Sequence, residues 1–385
     1  MTQGELEQIP IPLQRIYLQL EQDLMEEIIV GIKANGWSSQ ATDYRIDQLR
    51  RMGNGADEIQ KKIQHALNMS DEEIEAALSD AVYEAWYDAE RVYKVAGFAP
   101  LPFEENEELQ SIMRAAMKQA QKECHNISGS YGFAFKGASG RVQYKSVRST
   151  YNDMIDKAIL AIQTGAYDHD TVLRRAVKSL TASGLRYIDY ESGVSTKVDV
   201  AARRAIMTGF NQVQAHINDQ LAEDIGTDMF EVSWHIGARP SHQVWQGRVY
   251  TRQELEEVCG LGDVAGLCGA NCYHRYYPYI EGLSIRAHSD AWLDEQNAKE
   301  NEPVSYGNKT YTRYEALQEQ RRQERKMRAQ RESIYLMKKG DASKEAVKAE
   351  RARYKVQIQK YRDFSEKMDL PEQFKRVYQD GLETV

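Results

Sequence analysis

The sequence predicts a mainly α protein, with helical N-terminal and C-terminal regions around a small central α+β module. Three observations carry this expectation. Most of the chain repeats its apolar residues at three- and four-residue spacing among many charges, the pattern of helices with one buried face. Phe230, Val232, Trp234 and Ile236 alternate with Glu231, Ser233 and His235, the two-residue period of a half-buried strand. Finally, side chains able to do chemistry crowd around that strand. Of 4 cysteines and 8 histidines in 385 residues, Cys259, Cys268, Cys272, His235, His242 and His274 all fall between Trp234 and Tyr279.

A 42% hydrophobic and 28% charged composition is ordinary for a water-soluble chain of two or three domains. No apolar run approaches the ~20 residues that span a bilayer, and MTQGELEQIP lacks the basic and apolar regions of a signal peptide. No membrane partner is therefore expected. Four cysteines in so long a chain do not make a disulfide framework; they fit a reducing cytoplasm. The net charge of −8 hides an asymmetry: residues 1–110 hold 9 Lys and Arg against 22 Asp and Glu, and residues 309–385 hold 20 against 13. Ends of opposite charge point to different partners or to each other, with solvated helix faces as the plain alternative.

Taken in order, Pro10 and Pro12 open a helix over 10–33, with Leu13, Ile16, Tyr17, Leu20, Leu24 and Ile28 on one face and Gly36 as its stop. A second runs from Asp43 to Met52, where Gly53-Asn-Gly55 breaks it, and a third covers about 57–67. Ser70-x-x-Glu73 caps a fourth that continues to Ala96, before Gly97 and Pro100-Leu-Pro102. Its stripe of Tyr83, Trp86, Tyr87 and Tyr93 reads as core or helix contact. Another amphipathic helix spans Glu104 to Cys124. The glycine- and aromatic-rich stretch from His125 to Gly140 is a loop or short hairpin; it lacks the glycine spacing that cradles phosphate, so nucleotide binding is not expected. Cys124 and His125 read as structural.

Helices follow from Ser149 to Thr164 and from Asp170 to Ala182. A long one starts at Ser195 or Thr196, with Val198, Ala202, Ala205, Ile206, Val213 and Ile217 on one face, and packs beneath the module. Beyond Tyr279 comes a linker through Gly307. Thr310 to about Lys339 and a second helix, capped by Asp341 or Ser343 and running to about Met368, then form an antiparallel helical hairpin broken at Gly340. The arginine-dense centre of its first helix offers Arg321, Arg322, Arg325 and Arg328 as partner-binding candidates. Without interleaved aromatics, and with acidic residues mixed in, an acidic partner surface or plain solvation suits them better than nucleic-acid phosphates. The expected organisation is a helical region (1–127), a glycine- and aromatic-rich linker (128–148), the α+β module (149–284), a second linker (285–308) and the charged hairpin (309–385).

Within the module, Arg239 precedes Pro240 and is driven out of helical backbone, which makes Gly237 to Ser241 a turn. Gln246-Gly247 is a second turn, leading to a short strand at Val249-Tyr250, and Thr251-x-x-Glu254 is a capping box for a short helix to Val258. Trp245 is expected to be buried against the long helix, with Gly247 in backbone costly for other residues. A glycine-rich loop follows Cys259 and ends in Cys268-x3-Cys272-x-His274. Cys268 and Cys272 have the spacing that begins many structural zinc sites, and His274, Cys259, His235 or His242 could complete four ligands. Two other readings stand beside it. Histidines and Asn271 around a metal would suit a nuclease with metal-bound water as nucleophile, or the cysteines are reduced core residues and the histidines hydrogen-bonded ones.

Four strings carry a family resemblance. They are Ile188-Asp-Tyr-Glu-Ser-Gly193, Asp199-Val-Ala-Ala-Arg-Arg204, the run from His235 through Gly-Ala-Arg239-Pro240-Ser-His242, Trp245-Gln246-Gly247 and Tyr250, and Cys268-Gly-x-Asn-Cys272-x-His274. Together they resemble the phage minor capsid (minor head) protein family and, more distantly, the minor head module of Mu-type phages. The resemblance is densest over about 184–284. It implies a virion component of the phage head, present in few copies and associated with the portal vertex. The partners it implies are portal protein, capsid proteins and further copies of the chain, and assembly in the host cytoplasm. Contact with packaged DNA during packaging or ejection, and a metal-dependent hydrolase, are the rival functions. It says little about zinc.

Overall fold

The structure is a computed structural model that describes residues 3–35, 43–137, 139–164, 166–189, 194–269 and 272–383. Helix α1 (Gln3–Gln8) leads into α2 (Ile11–Asn35), the rod on which the other helices are laid. Leu13, Tyr17, Leu20, Leu24, Ile28 and Ile32 of α2 are fully buried, as their helical spacing predicts. Around it pack α3 (Asp43–Val95), α5 (Val147–Gln163), α6 (His169–Ser183) and α7 (Val198–Ile225), with α4 (Glu107–Ser128) filling the groove between α3 and α7. Strands β1 (Tyr131–Lys136), β2 (Val142–Ser146), β3 (Arg186–Ile188) and β4 (Ser195–Lys197) form an antiparallel sheet in the order β2-β1-β3-β4. The main apolar core runs from Leu6 and Leu13 through Phe133, Leu173 and Phe210 to Leu336 and Met337.

The expected mainly α architecture with a small α+β module is what the structure has. Several local expectations are corrected. Gly53-Asn-Gly55 does not break the chain: α3 is continuous for 53 residues, about 80 Å at 1.5 Å per residue. A helical glycine costs about 1 kcal/mol against alanine. Here it permits close packing, because a Cβ on Gly55 would run into the Tyr151 ring of α5, and one on Gly31 would meet Ile155 Cδ1 at 2.8 Å. Ser70 is no cap either; it lies buried inside α3 and accepts a hydrogen bond from the Tyr17 hydroxyl at 3.0 Å. The long helix begins at Val198, since Ser195 and Thr196 belong to β4. Of the stretch expected as a loop or hairpin, residues 125–128 close α4, and a hairpin follows with Tyr131–Lys136 as its first strand. Gly36 and residues 190–193 lie outside the described residues.

A second sheet, in the order β6-β5-β7, builds the module from β5 (Met229–Val232), β6 (Val249–Thr251) and β7 (Tyr276–Pro278), with the short helices α8 (Pro240–Gln243) and α9 (Arg252–Glu257). The stretch 285–308, expected as a linker, contains α10 (Asp290–Asn301), whose Leu293 is buried. Its single strongly buried apolar residue explains why no helical period was visible there. After the β8 (Val304–Tyr306) and β9 (Lys309–Tyr311) hairpin come α11 (Arg313–Lys339) and α12 (Lys344–Lys367), packed on each other as the helical period predicts, then α13 (Phe374–Val377). Among the described residues no helix is long and apolar enough to cross a membrane.

The opposite charges of the two ends partly meet each other. Glu7 pairs with Arg376 at 2.7 Å and Glu26 with Lys339 at 2.6 Å, while the reverse pair Lys33–Asp341 closes at 2.6 Å. Partly exposed pairs of this kind contribute about 0–1 kcal/mol each, so they align the ends more than they hold them.

Candidate functional site

The module is assembled on α7. Asn218 donates to the Tyr276 carbonyl at 2.6 Å and Asn211 to the Cys268 carbonyl at 2.7 Å, and just beyond the helix Thr227 donates to the Tyr279 carbonyl at 2.7 Å. One helix thus orients both the β7 strand and the cysteine loop. On the other side α10 clamps the turn before α8: the Glu300 carboxylate accepts the Gly237 amide at 3.0 Å, and Asn297 and Asn301 each donate to Gln243 at 2.9 Å.

Local sequence places the rest. Arg239 has extended backbone (φ −61°, ψ 148°) and Pro240 opens α8 at its first position, as the Arg-Pro pair predicts. Thr251 and Glu254 make the full capping box of α9. Strand pairing sets Phe230 opposite Tyr250 and Val232 opposite Tyr276. The strand ends at Val232, however, so the alternation does not extend to Trp234 and Ile236. Trp234 packs edge-on to Trp292 of α10 at 5.0 Å between ring centres, and Ile236 is exposed.

Trp245 is 4% exposed, in an apolar cluster with Ala222 of α7, Phe230, Leu255, Cys259 and Leu267, as expected. Gly247 has φ +74°, and a Cβ there would lie 2.5 Å from Leu293 Cδ2 and 3.3 Å from Trp234 Cβ. Replacing Gly247 by alanine should therefore cost about 1–3 kcal/mol through left-handed backbone and overpacking. A thermal melt at the wild-type temperature would refute that.

The glycine loop brings the cysteine end back onto α8. His242 Nδ1 and His274 Nδ1 are 3.3 Å apart, and Cys272 Sγ lies 3.7 Å from the first and 3.5 Å from the second. These three residues are buried and offer ligand atoms that all lie within 4.8 Å of one another. The other candidates are placed differently. His235 stacks over the His274 ring with 4.1 Å between centres, and its Nδ1 meets the Ile236 carbonyl at 3.2 Å. Cys268 has left-handed backbone (φ +59°) and points its thiol at the His274 carbonyl, 3.5 Å away. Cys259 belongs to the apolar cluster around Trp245. Asn271 lies outside the described residues.

Burial holds all three imidazoles below the ordinary histidine range. For His274 desolvation acts first and His235 and His242 add to it; for His242 the Ala265 carbonyl partly opposes the desolvation. Burial also raises the Cys272 thiol, and pushes Cys268 and Cys259 up to about 12. At neutral pH this is a cluster of uncharged imidazoles and thiols.

The cluster forms one wall of a cavity of about 840 Å³. Arg203, Arg239, Arg313, Arg321, Arg325 and Arg376 also line it, with Glu7 of α1 as the acidic residue among the described lining side chains. Two of the four arginines proposed as a docking set, Arg321 and Arg325, thus border this cavity, while Arg322 is exposed and pairs with Glu319 at 2.7 Å. In the sequence Gln246 stands out as a turn residue and a member of the resemblance string, and Glu300 does not stand out at all. Gln246 is fully buried and bonds His274, whereas nothing local marks Glu300, 63 residues from the amide it binds.

Comparison with known proteins supplies the family. A structural protein of Lactococcus phage LL-H is 24% identical over 232 residues, which cover 54% of this chain and 62% of that protein, so the match spans less than two thirds of the relative. No solved structure matches. The family model described as phage minor capsid protein 2 matches residues 1–366, and the chain belongs to that family.

Proposed function

We propose that this chain is a structural component of a phage head, working by assembly at the portal vertex and without turnover of its own. Membership of a minor capsid family and a relative named as a phage structural protein support the virion role. The observation that favours docking through the C-terminal hairpin is a basic stripe on the outer face of α12. Lys344, Lys348, Arg351 and Lys355 recur at four-, three- and four-residue spacing, and all four are exposed. With Lys338 they line a shallow groove whose one acidic residue is Asp341. A surface of this sign fits an acidic face of portal, capsid or a second copy of the chain.

The test is to change Lys344, Lys348, Arg351 and Lys355 to glutamate and measure how much of the protein purified particles retain. Because these side chains are exposed, the isolated variant should fold normally while incorporation is lost. Retention at the wild-type level would remove α12 as the docking element. The parallel variant at Arg321, Arg322, Arg325 and Arg328 is expected to reduce incorporation less, since Arg321 and Arg325 face the cavity. Glu7, the acidic residue among the described lining side chains of the cavity, is tied to Arg376 at 2.7 Å.

A further inference from the structure

We propose that His242 Nδ1, His274 Nδ1 and Cys272 Sγ hold a zinc-class divalent cation. The distances among the three atoms carry the proposal. For a tetrahedral ion with bonds of about 2.0–2.1 Å to nitrogen and 2.3 Å to sulfur, geometry sets N···N at about 3.3–3.4 Å and N···S at about 3.6 Å. The observed edges are 3.3 Å for the two nitrogens and 3.5 and 3.7 Å for nitrogen to sulfur. Three donors on one face of such a tetrahedron, two imidazole nitrogens and one thiol, are the set that zinc prefers over magnesium or calcium.

Hydrogen bonding fixes which ring nitrogens carry protons. His242 Nε2 lies 2.9 Å from the Ala265 carbonyl, which can only accept, so the proton is on Nε2 and Nδ1 presents a lone pair. His274 Nε2 lies 2.9 Å from Gln246 Oε1. That oxygen is identified by its second partner, the His235 backbone N–H at 3.2 Å, since the amide's other end would set donor against donor. His274 therefore also turns an unprotonated Nδ1 inward.

Two lone pairs thus face each other across 3.3 Å in a buried pocket. The single proton of the Cys272 thiol can serve only one of them, so hydrogen bonding within the trio cannot satisfy both. A cation between them does. On binding, the Cys272 S–H bond gives way to a sulfur–metal bond and the proton leaves to solvent. The outward N–H bonds to Ala265 and Gln246 are the outer-shell partners that orient metal-bound histidines. All three donor residues line the arginine-bordered cavity.

The experiment uses the full chain. Zinc should be present at about one equivalent after purification, and cobalt(II) added to chelator-treated protein should give intense visible bands with a near-ultraviolet sulfur-to-cobalt band. Cys272→Ser should abolish the sulfur band, while Cys259→Ser and Cys268→Ser should keep it. Gln246→Leu should weaken metal affinity about 10–100-fold. Wild-type protein that is folded by circular dichroism, yet takes up neither zinc nor cobalt, would overturn the proposal. A sulfur band that survives Cys272→Ser and disappears in Cys268→Ser would overturn the ligand set. None of these readouts depends on head assembly.

Discussion

Replacing Trp245 with alanine is expected to lower stability by about 3–5 kcal/mol, the range for deleting a fully buried large aromatic side chain. The ring is 4% exposed and is the hinge of two packing layers. On one side it meets the apolar cluster of Phe230, Leu255 and Leu267, over Ala222 of α7. On the other it lies against the His242 and His274 rings, with centres 4.5 and 4.8 Å away. Its removal should therefore loosen the cysteine–histidine cluster as well as the core. Chemical denaturation of the purified variant measures the first effect, and solvent accessibility of the Cys272 thiol reports the second. An unchanged midpoint would mean that the Trp245 contacts contribute nothing net.

A loss of similar size, about 3–5 kcal/mol, is expected when Asp380 is replaced by alanine, because a buried guanidinium is then left without its counter-charge. Arg331 of α11 has no exposed side-chain surface and Asp380 only 5%. The two form a bidentate pair, Nε to Oδ2 at 3.0 Å and Nη2 to Oδ1 at 2.9 Å. Gln22 of α2 donates to the Asp380 carbonyl at 2.7 Å, so the same residue joins the C-terminal segment, α11 and the central rod. The double variant Arg331→Met with Asp380→Leu should recover much of the loss, since replacing a whole buried pair by apolar groups is often neutral. If Asp380→Ala alone melts like the wild type, the pair is not what fastens the C-terminal segment to α2.

These two predictions differ in how far they could be seen in advance. Burial of Trp245 was legible, because it sits between two turns next to a short strand. The Arg331–Asp380 pair was not: Arg331 ends an arginine-dense stretch in which nothing local sets it apart, and its partner is 49 residues away. The same contrast holds within the cluster. Spacing pointed at Cys268 with Cys272, whereas the structure groups Cys272 with His242 and His274 and turns Cys268 toward a carbonyl. Spacing describes only the loop. The path that loop takes is set by Asn211, which holds the Cys268 carbonyl, and by the Leu267 amide bonding back to Cys259 at 2.9 Å.

What the sequence by itself determined is whatever depends on a few neighbouring residues. The Thr251–Glu254 capping box, the Arg239-Pro240 turn, the left-handed Gly247, the buried face of α2 and the helical hairpin after residue 309 all follow from capping, backbone sterics or helical period. Tertiary structure alone decided the outcomes in which a local cost of about 1 kcal/mol is set against packing. Gly55 continues a helix because Tyr151 needs the space, and Ser70 sits inside one because Tyr17 bonds it. It also decided which of six cysteines and histidines converge and which arginines face a cavity. Cys272 and His274 aside, those relations join residues tens to hundreds of positions apart, and no local preference encodes them.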